Sequence, residues 1–258
     1  MWGKPMKRYF LIVAVCLLPL FAAAQHEHMS ADAAQQKPAQ SQSEDGMDHA
    51  MHAMSSRHMD MGPHMKMTEM RPVRPGDQQR ADQIVQAAKG VLQRYADYHD
   101  ALADGFRIFL PNRKQKMYHF TNGWYAMEAA FRLNPDHPTS LLYEKTHDGG
   151  YKLIGVMYTA PARVNADELD TRVPLSIARW HEHVNFCAAP RGRESEYFGP
   201  KPRFGLLGSI STEQECTAAG GRFRPQIFGW MVHVYPNEKT QDAIWSVERQ
   251  MEHHHGGQ

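Results

Sequence analysis

The sequence predicts an α+β domain, with a long N-terminal helix followed by a mainly antiparallel sheet and short helices. Three observations carry this expectation. From Asp77, the apolar residues Ile84, Val85, Ala88, Val91, Leu92, Tyr95 and Leu102 recur at the spacing of one buried helix face, as far as about Ala103. After that helix the pattern changes to strand-length segments rich in aromatic and β-branched residues: "KMYHFTN", "SLLYEKT", "YKLIGVMYTA", "ARWHEHVNFC" and "PQIFGWMVHVYPN". Between the second and third of these, His147, Asp148, Gly149 and Gly150 read as a hairpin turn, which makes the pairing antiparallel.

The short helices follow from their caps. "NADELDTRV" is opened by Asn165, and "STEQECTAAGG" by Ser211 or Thr212 with Gly220 closing it. A terminal helix is expected over "TQDAIWSVERQM", before the tail "EHHHGGQ".

The segments outside this domain, placed at 76–250, have other signatures. Residues 1–24 carry a basic start (Lys4, Lys7, Arg8), an apolar run from Tyr9 to Phe21 and the small residues Ala22, Ala23 and Ala24, the pattern of a secretory signal peptide. Cleavage would remove three basic groups and no acidic ones, taking the formal charge from +1 to −2 and leaving no membrane span. Charges of both signs are mixed along the rest, which argues against a nucleic-acid partner. In an oxidising compartment Cys187 and Cys216 form an even pair suited to one disulfide, with a Cys ligand pair as the alternative.

Residues 25–75 are rich in Gln, Ala, Ser, His and Met, with no aromatic residue and Val73 as their one branched aliphatic residue, so they are expected to be a disordered arm. Within it, the stretch from Met47 to Met70 holds eight of the sixteen methionines and four histidines, with no Leu, Ile, Val or Phe for them to pack against. Core filling does not explain that composition. Thioethers are soft donors and imidazoles borderline ones, a mixture suited to copper in both oxidation states. The arm ligands would be Met47, His49, Met51, His52, Met54, His58, Met59, Met61, His64, Met65 and Met67.

A second constellation lies in the strands. Alternation puts His181 and His183 on one face of their strand and Glu182 on the other. On the last strand His233 shares a face with Met231 and Tyr235, opposite Phe228, Trp230, Val232 and Val234. If these strands pair with their histidine faces aligned, His181, His183 and His233 converge, and His119 or Glu144 could complete a four-coordinate site or leave a position for water. Such a nitrogen-rich site suits Cu(II) or Zn(II), and the arm suits Cu(I). The tail histidines His253, His254 and His255 are either a further metal ligand set or a solvated end.

Two resemblances add to this. "MDHAMHAM" and "RHMDMGPHMKM" resemble the metal-binding stretches of bacterial periplasmic copper-resistance proteins. The domain carrying "RVPLSIARWHEHVNFC" and "FGWMVHVYPNE" resembles a group of secreted bacterial proteins with no activity attached to them. The function expected is therefore periplasmic or secreted copper binding, for tolerance, storage or delivery, with another periplasmic copper-handling protein as a partner. The alternative is a metal-dependent oxygenase or hydrolase using His181, His183 and His233. Phosphate-loop, dinucleotide and nucleophile-elbow motifs are all missing from the chain, so the enzyme reading depends on the metal alone.

Overall fold

A computed structural model describes residues 62–113, 115 and 117–247. The expected signal peptide, the arm up to Met61 and the histidine tail lie outside the described residues.

The first element is a strand, β1 (Met65–Met67), so the long helix does not open the domain. That helix, α1 (Asp77–Arg94), buries Ile84, Ala88, Val91 and Leu92 as their spacing predicts, together with Ala81, while Val85 is only partly buried. It ends earlier than expected. Asp97 accepts a hydrogen bond from the His99 amide and starts a separate helix, α2 (Tyr98–Ala103), because an Asp side chain is worth more at an N-cap than inside a helix. There follow β2 (Arg107–Ile108), β3 (Met117–Thr121), α3 (Gly123–Ala129), β4 (Ser140–Lys145), β5 (Tyr151–Ala160), α4 (Ala166–Arg172), β6 (His181–Ala188), α5 (Glu213–Ala218), β7 (Arg222–Val234) and α6 (Gln241–Ile244). Asn165 caps α4, and a Thr212–Glu215 capping box opens α5. The terminal helix is one turn among the described residues.

The strands form one seven-stranded sheet in the order β1-β6-β7-β5-β4-β3-β2, and every neighbouring pair is antiparallel. One face carries the main core. Phe120, Leu141, Tyr143, Val156, Tyr158, Trp180, Val232 and Val234 pack there with the buried stripe of α1. The Tyr143 hydroxyl ties the two layers together by donating to the Tyr95 carbonyl at 2.8 Å.

The other face is lined by Met117, Leu142, Met157, Met231 and Tyr235 together with the histidines, and the sheet curls around it. β3 and β7 are three strand spacings apart, about 14 Å across a flat sheet. Yet the rings of His119 on β3 and His233 on β7 have centroids 6.2 Å apart. Phe109, just past β2, likewise meets Phe228 of β7 at 6.0 Å. Register shifts in the β4–β5 and β6–β7 ladders mark bulges, which bend a sheet locally. Two glycines permit the close packing. A Cβ at Gly155 would stand 2.7 Å from the Tyr235 ring, and one at Gly229 would collide with the Ala160 carbonyl oxygen.

Residues 62–75 belong to the domain rather than to the arm, moving the expected boundary at 76. β1 pairs with β6, and the Trp180 amide donates to the Thr68 hydroxyl while the Thr68 amide donates to the Trp180 carbonyl. His64 is buried, with Nδ1 3.0 Å from the Asn185 carbonyl and Nε2 2.7 Å from that of Gly208. Composition misplaced this edge because a strand of three residues is held by its partner's backbone, not by its own side chains. Cys187 and Cys216 form the disulfide, which removes them from the candidate ligands and fastens α5 to β6.

Candidate metal centre

Local geometry at the centre begins with β6 and β7. His181 lies across from Met231, and the ladder then shifts so that His183 faces Ile227. Between these pairs Phe228, Gly229 and Trp230 of β7 stand against Glu182 alone of β6, with Phe228 in the left-handed region at φ 63°. This bulge overturns one expectation from alternation. Phe228 does not share the face of Trp230 but lines the cleft beside Met231. After the bulge the alternation resumes, so His233 projects to the same side as His181.

The four histidines that the sequence nominated are brought together. Ring centroids stand 5.0 Å apart for His181–His233, 5.8 Å for His181–His183 and 6.2 Å for His119–His233. Two imidazoles sharing one tetrahedral ion, with metal–nitrogen bonds of about 2.0–2.1 Å, have centroids about 5 Å apart. Among the described residues, no three His, Cys, Asp or Glu side chains are posed as a completed ligand set, so the rings are close without being converged on one point.

Burial sets their chemistry. His181 is 0 % and His233 1 % exposed, and none of their four ring nitrogens has a hydrogen-bond partner. The only other orphaned buried side-chain nitrogens among the described residues are the indoles of Trp180 and Trp230, in the core on the opposite face. A buried polar group without a partner costs about 1–3 kcal/mol, so a pair of such rings is an expensive arrangement for packing alone. Loss of water disfavours the imidazolium, and the neighbouring histidines add to this. The pKa of His181 falls to about 3 and those of His119 and His183 to about 4, while that of His233 drops well below the usual value. All four rings are therefore neutral near pH 7, the form that donates a lone pair to a metal.

Sulfur surrounds them. Across the ladders Met67 and Met231 flank His181, Met65 faces His183 and Met157 faces His233. Residues directly opposite in a ladder project to the same face, so these thioethers lie on the histidine side. Met157 and Met231 were not among the expected ligands. Their signal was present in the composition, since the three methionines of the described strands beyond β1 are Met117, Met157 and Met231, and all three are on this face.

Other candidates fall away. Glu144 stands opposite Met117 and Lys152, two rungs from His119, and the charged groups that shift the rings are other histidines. Glu182 points to the other face, where it pairs with Lys66 at 2.9 Å and accepts from Gln226. His64 is committed to two carbonyls. His137 is held by Glu128 at 2.6 Å and stacks on Tyr125, away from the cluster.

His119, His183, Met157 and Met231 also line an open cleft of about 680 Å³ on this face. No helix among the described residues is long and apolar enough to cross a membrane. Comparison with protein-family models, with curated proteins and with solved structures returned no match.

Proposed function

We propose that the protein binds copper outside the cytoplasm, for tolerance, storage or delivery, through its Met/His-rich segment and a centre in the curled sheet. His119, His181, His183 and His233 are its nitrogen donors. Met65, Met67, Met157 and Met231 stand beside them as soft donors. The observation that carries this reading is the pair His181 and His233, fully buried with all four ring nitrogens unpartnered. Binding converges the rings by side-chain rotation. The thioethers move the expected preference of this centre from Cu(II) or Zn(II) toward Cu(I), because a hard or borderline ion gains little from sulfur of this kind.

A second reading, a metal-dependent secreted enzyme, is favoured by the cleft. It reaches His119 and His183 from solvent, and catalytic metal sites keep one position open to a small molecule.

The test uses the full chain, loaded with copper under reducing and oxidising conditions and assayed by elemental analysis. Replacing Met47, Met51, Met54, Met59 and Met61 with Leu should remove most of the copper and leave one tightly held ion. Adding His181→Asn and His183→Asn should remove that ion too. If the double histidine change leaves the tightly held ion in place, the ordered centre is wrong; if the methionine changes leave uptake unaltered, the segment is not a copper store.

A further inference from the structure

The cleft beside the histidines has properties that metal binding does not need. Its volume of about 680 Å³ is in the range of pockets that bury a drug-sized organic molecule. None of the described residues that line it is an Asp, Glu, Lys or Arg. Its polar groups are partly spent on one another. The hydroxyls of Thr121 and Ser140 pair at 2.8 Å, those of Thr139 and Thr159 pair at 2.8 Å, and the Gln115 amide donates to the carbonyls of Phe109 and Leu110.

The rim is built at a cost. Among the described residues three that are not glycine have positive φ, and two of them, Leu110 at 51° and Phe228 at 63°, line this cleft. Bulky side chains are strained in that conformation, and such strain concentrates at binding sites. Both side chains are also left in water, Leu110 at 52 % and Phe228 at 59 % exposed. Phe228 meets Phe109 edge to face across the mouth, and its ring centroid lies 6.5 Å from that of His183.

We propose that this cleft binds a neutral, mainly apolar aromatic molecule, lying against the Phe109 and Phe228 rings at the mouth, with its inner end against His119 and His183. Among the described residues the lining offers no counter-charge to offset the desolvation of a charged ligand, which favours a neutral one. Aromatic rings at the mouth favour an aromatic guest by edge and face contacts. Occupation covers the exposed rim and accounts for the strain that holds it open. The site does not require the metal, so its test is run on metal-free protein and stands or falls apart from the copper reading.

The probe is N-phenyl-1-naphthylamine, neutral and fluorescent in apolar surroundings, titrated into the metal-free full chain. One molecule per chain is expected. Phe228→Asn, which removes the ring and suits the left-handed backbone, and Ala126→Trp, which fills the cleft from α3, should each weaken binding about tenfold or more. The anionic analogue 1-anilinonaphthalene-8-sulfonate should bind at least about tenfold more weakly than the neutral probe. Far-ultraviolet circular dichroism identifies a variant that has failed to fold, and the other variant then decides. Equal affinity in a folded variant, equal affinity for the anion, or probe binding abolished by self-association of the chain would each overturn the proposal, the last by assigning the cleft to a second copy.

Discussion

His181 and His233 stand on adjacent strands with ring centroids 5.0 Å apart, both fully buried and neither ring making a hydrogen bond. A hydrogen-bonded core histidine would have one ring nitrogen donating and the other accepting. Here four polar atoms are held dry beside methionine sulfur, an arrangement that stability alone would select against.

That imbalance gives the first prediction. Replacing His181 or His233 with Leu exchanges an unsatisfied polar ring for an apolar side chain of similar bulk. The metal-free variant should be as stable as the parent or more stable by about 1–3 kcal/mol, while losing the ordered ion. Urea midpoints without metal and equilibrium dialysis with copper read the two effects separately. Destabilisation of the metal-free protein by either change would mean that these rings serve packing.

The edge strand gives the second. Met65 and Met67 face His183 and His181 across the β1–β6 ladder, so Met65→Leu with Met67→Leu keeps the side-chain bulk and removes two thioethers. Cu(I) affinity of the ordered centre should fall about tenfold while Cu(II) affinity changes little. Competition with bicinchoninate for Cu(I) and with glycine for Cu(II) measures both. An equal loss for the two ions would place the sulfur outside the centre.

A third concerns acid. Asp77 accepts hydrogen bonds from the Ser176 hydroxyl, the Arg80 guanidinium and the Arg74 amide, which hold its pKa down at about 2, with the Arg80 charge adding to the effect. A carboxyl whose folded pKa lies below its unfolded one stabilises the fold above the unfolded value and loses that contribution as pH falls through the folded one. The gap in melting temperature between the parent and Asp77→Asn should therefore be widest above about pH 4 and narrow between about pH 4 and 2. A gap independent of pH over that window would remove ionisation from the role of Asp77.

The disulfide supplies a fourth. Cys187 and Cys216 are 29 residues apart, and opening a loop of that size should cost about 2–4 kcal/mol. Cys187 lies four residues beyond His183 on β6, so the paired change to Ser should lower the denaturation midpoint and still leave the ordered ion bound. Loss of the ion from a folded double variant would show that the bridge positions the histidines.

Much of the architecture was legible because it rests on local patterns. The buried helix positions Ile84, Ala88, Val91 and Leu92, the caps at Asn165 and Thr212, the hairpin at 147–150 and the alternation of His181 with Glu182 are set by neighbours within a few residues, and each is found where the sequence puts it. The nomination of His119, His181, His183 and His233 also came from residue type and alternation. What the sequence could not supply was the distance across the sheet. His119 and His233 approach within 6.2 Å because β3 to β7 curl over bulges and glycines, and curvature is a property of how ladders mate, not of any one strand. For the same reason β1 escaped notice, since Met65–Met67 becomes a strand only through the backbone of β6. Phe228 was assigned to the wrong face because a bulge adds residues to one strand without marking them, and period-two alternation has no means to count them. Tertiary structure thus decided which histidines meet, which methionines accompany them and where the cleft opens, because these depend on contacts between segments tens of residues apart.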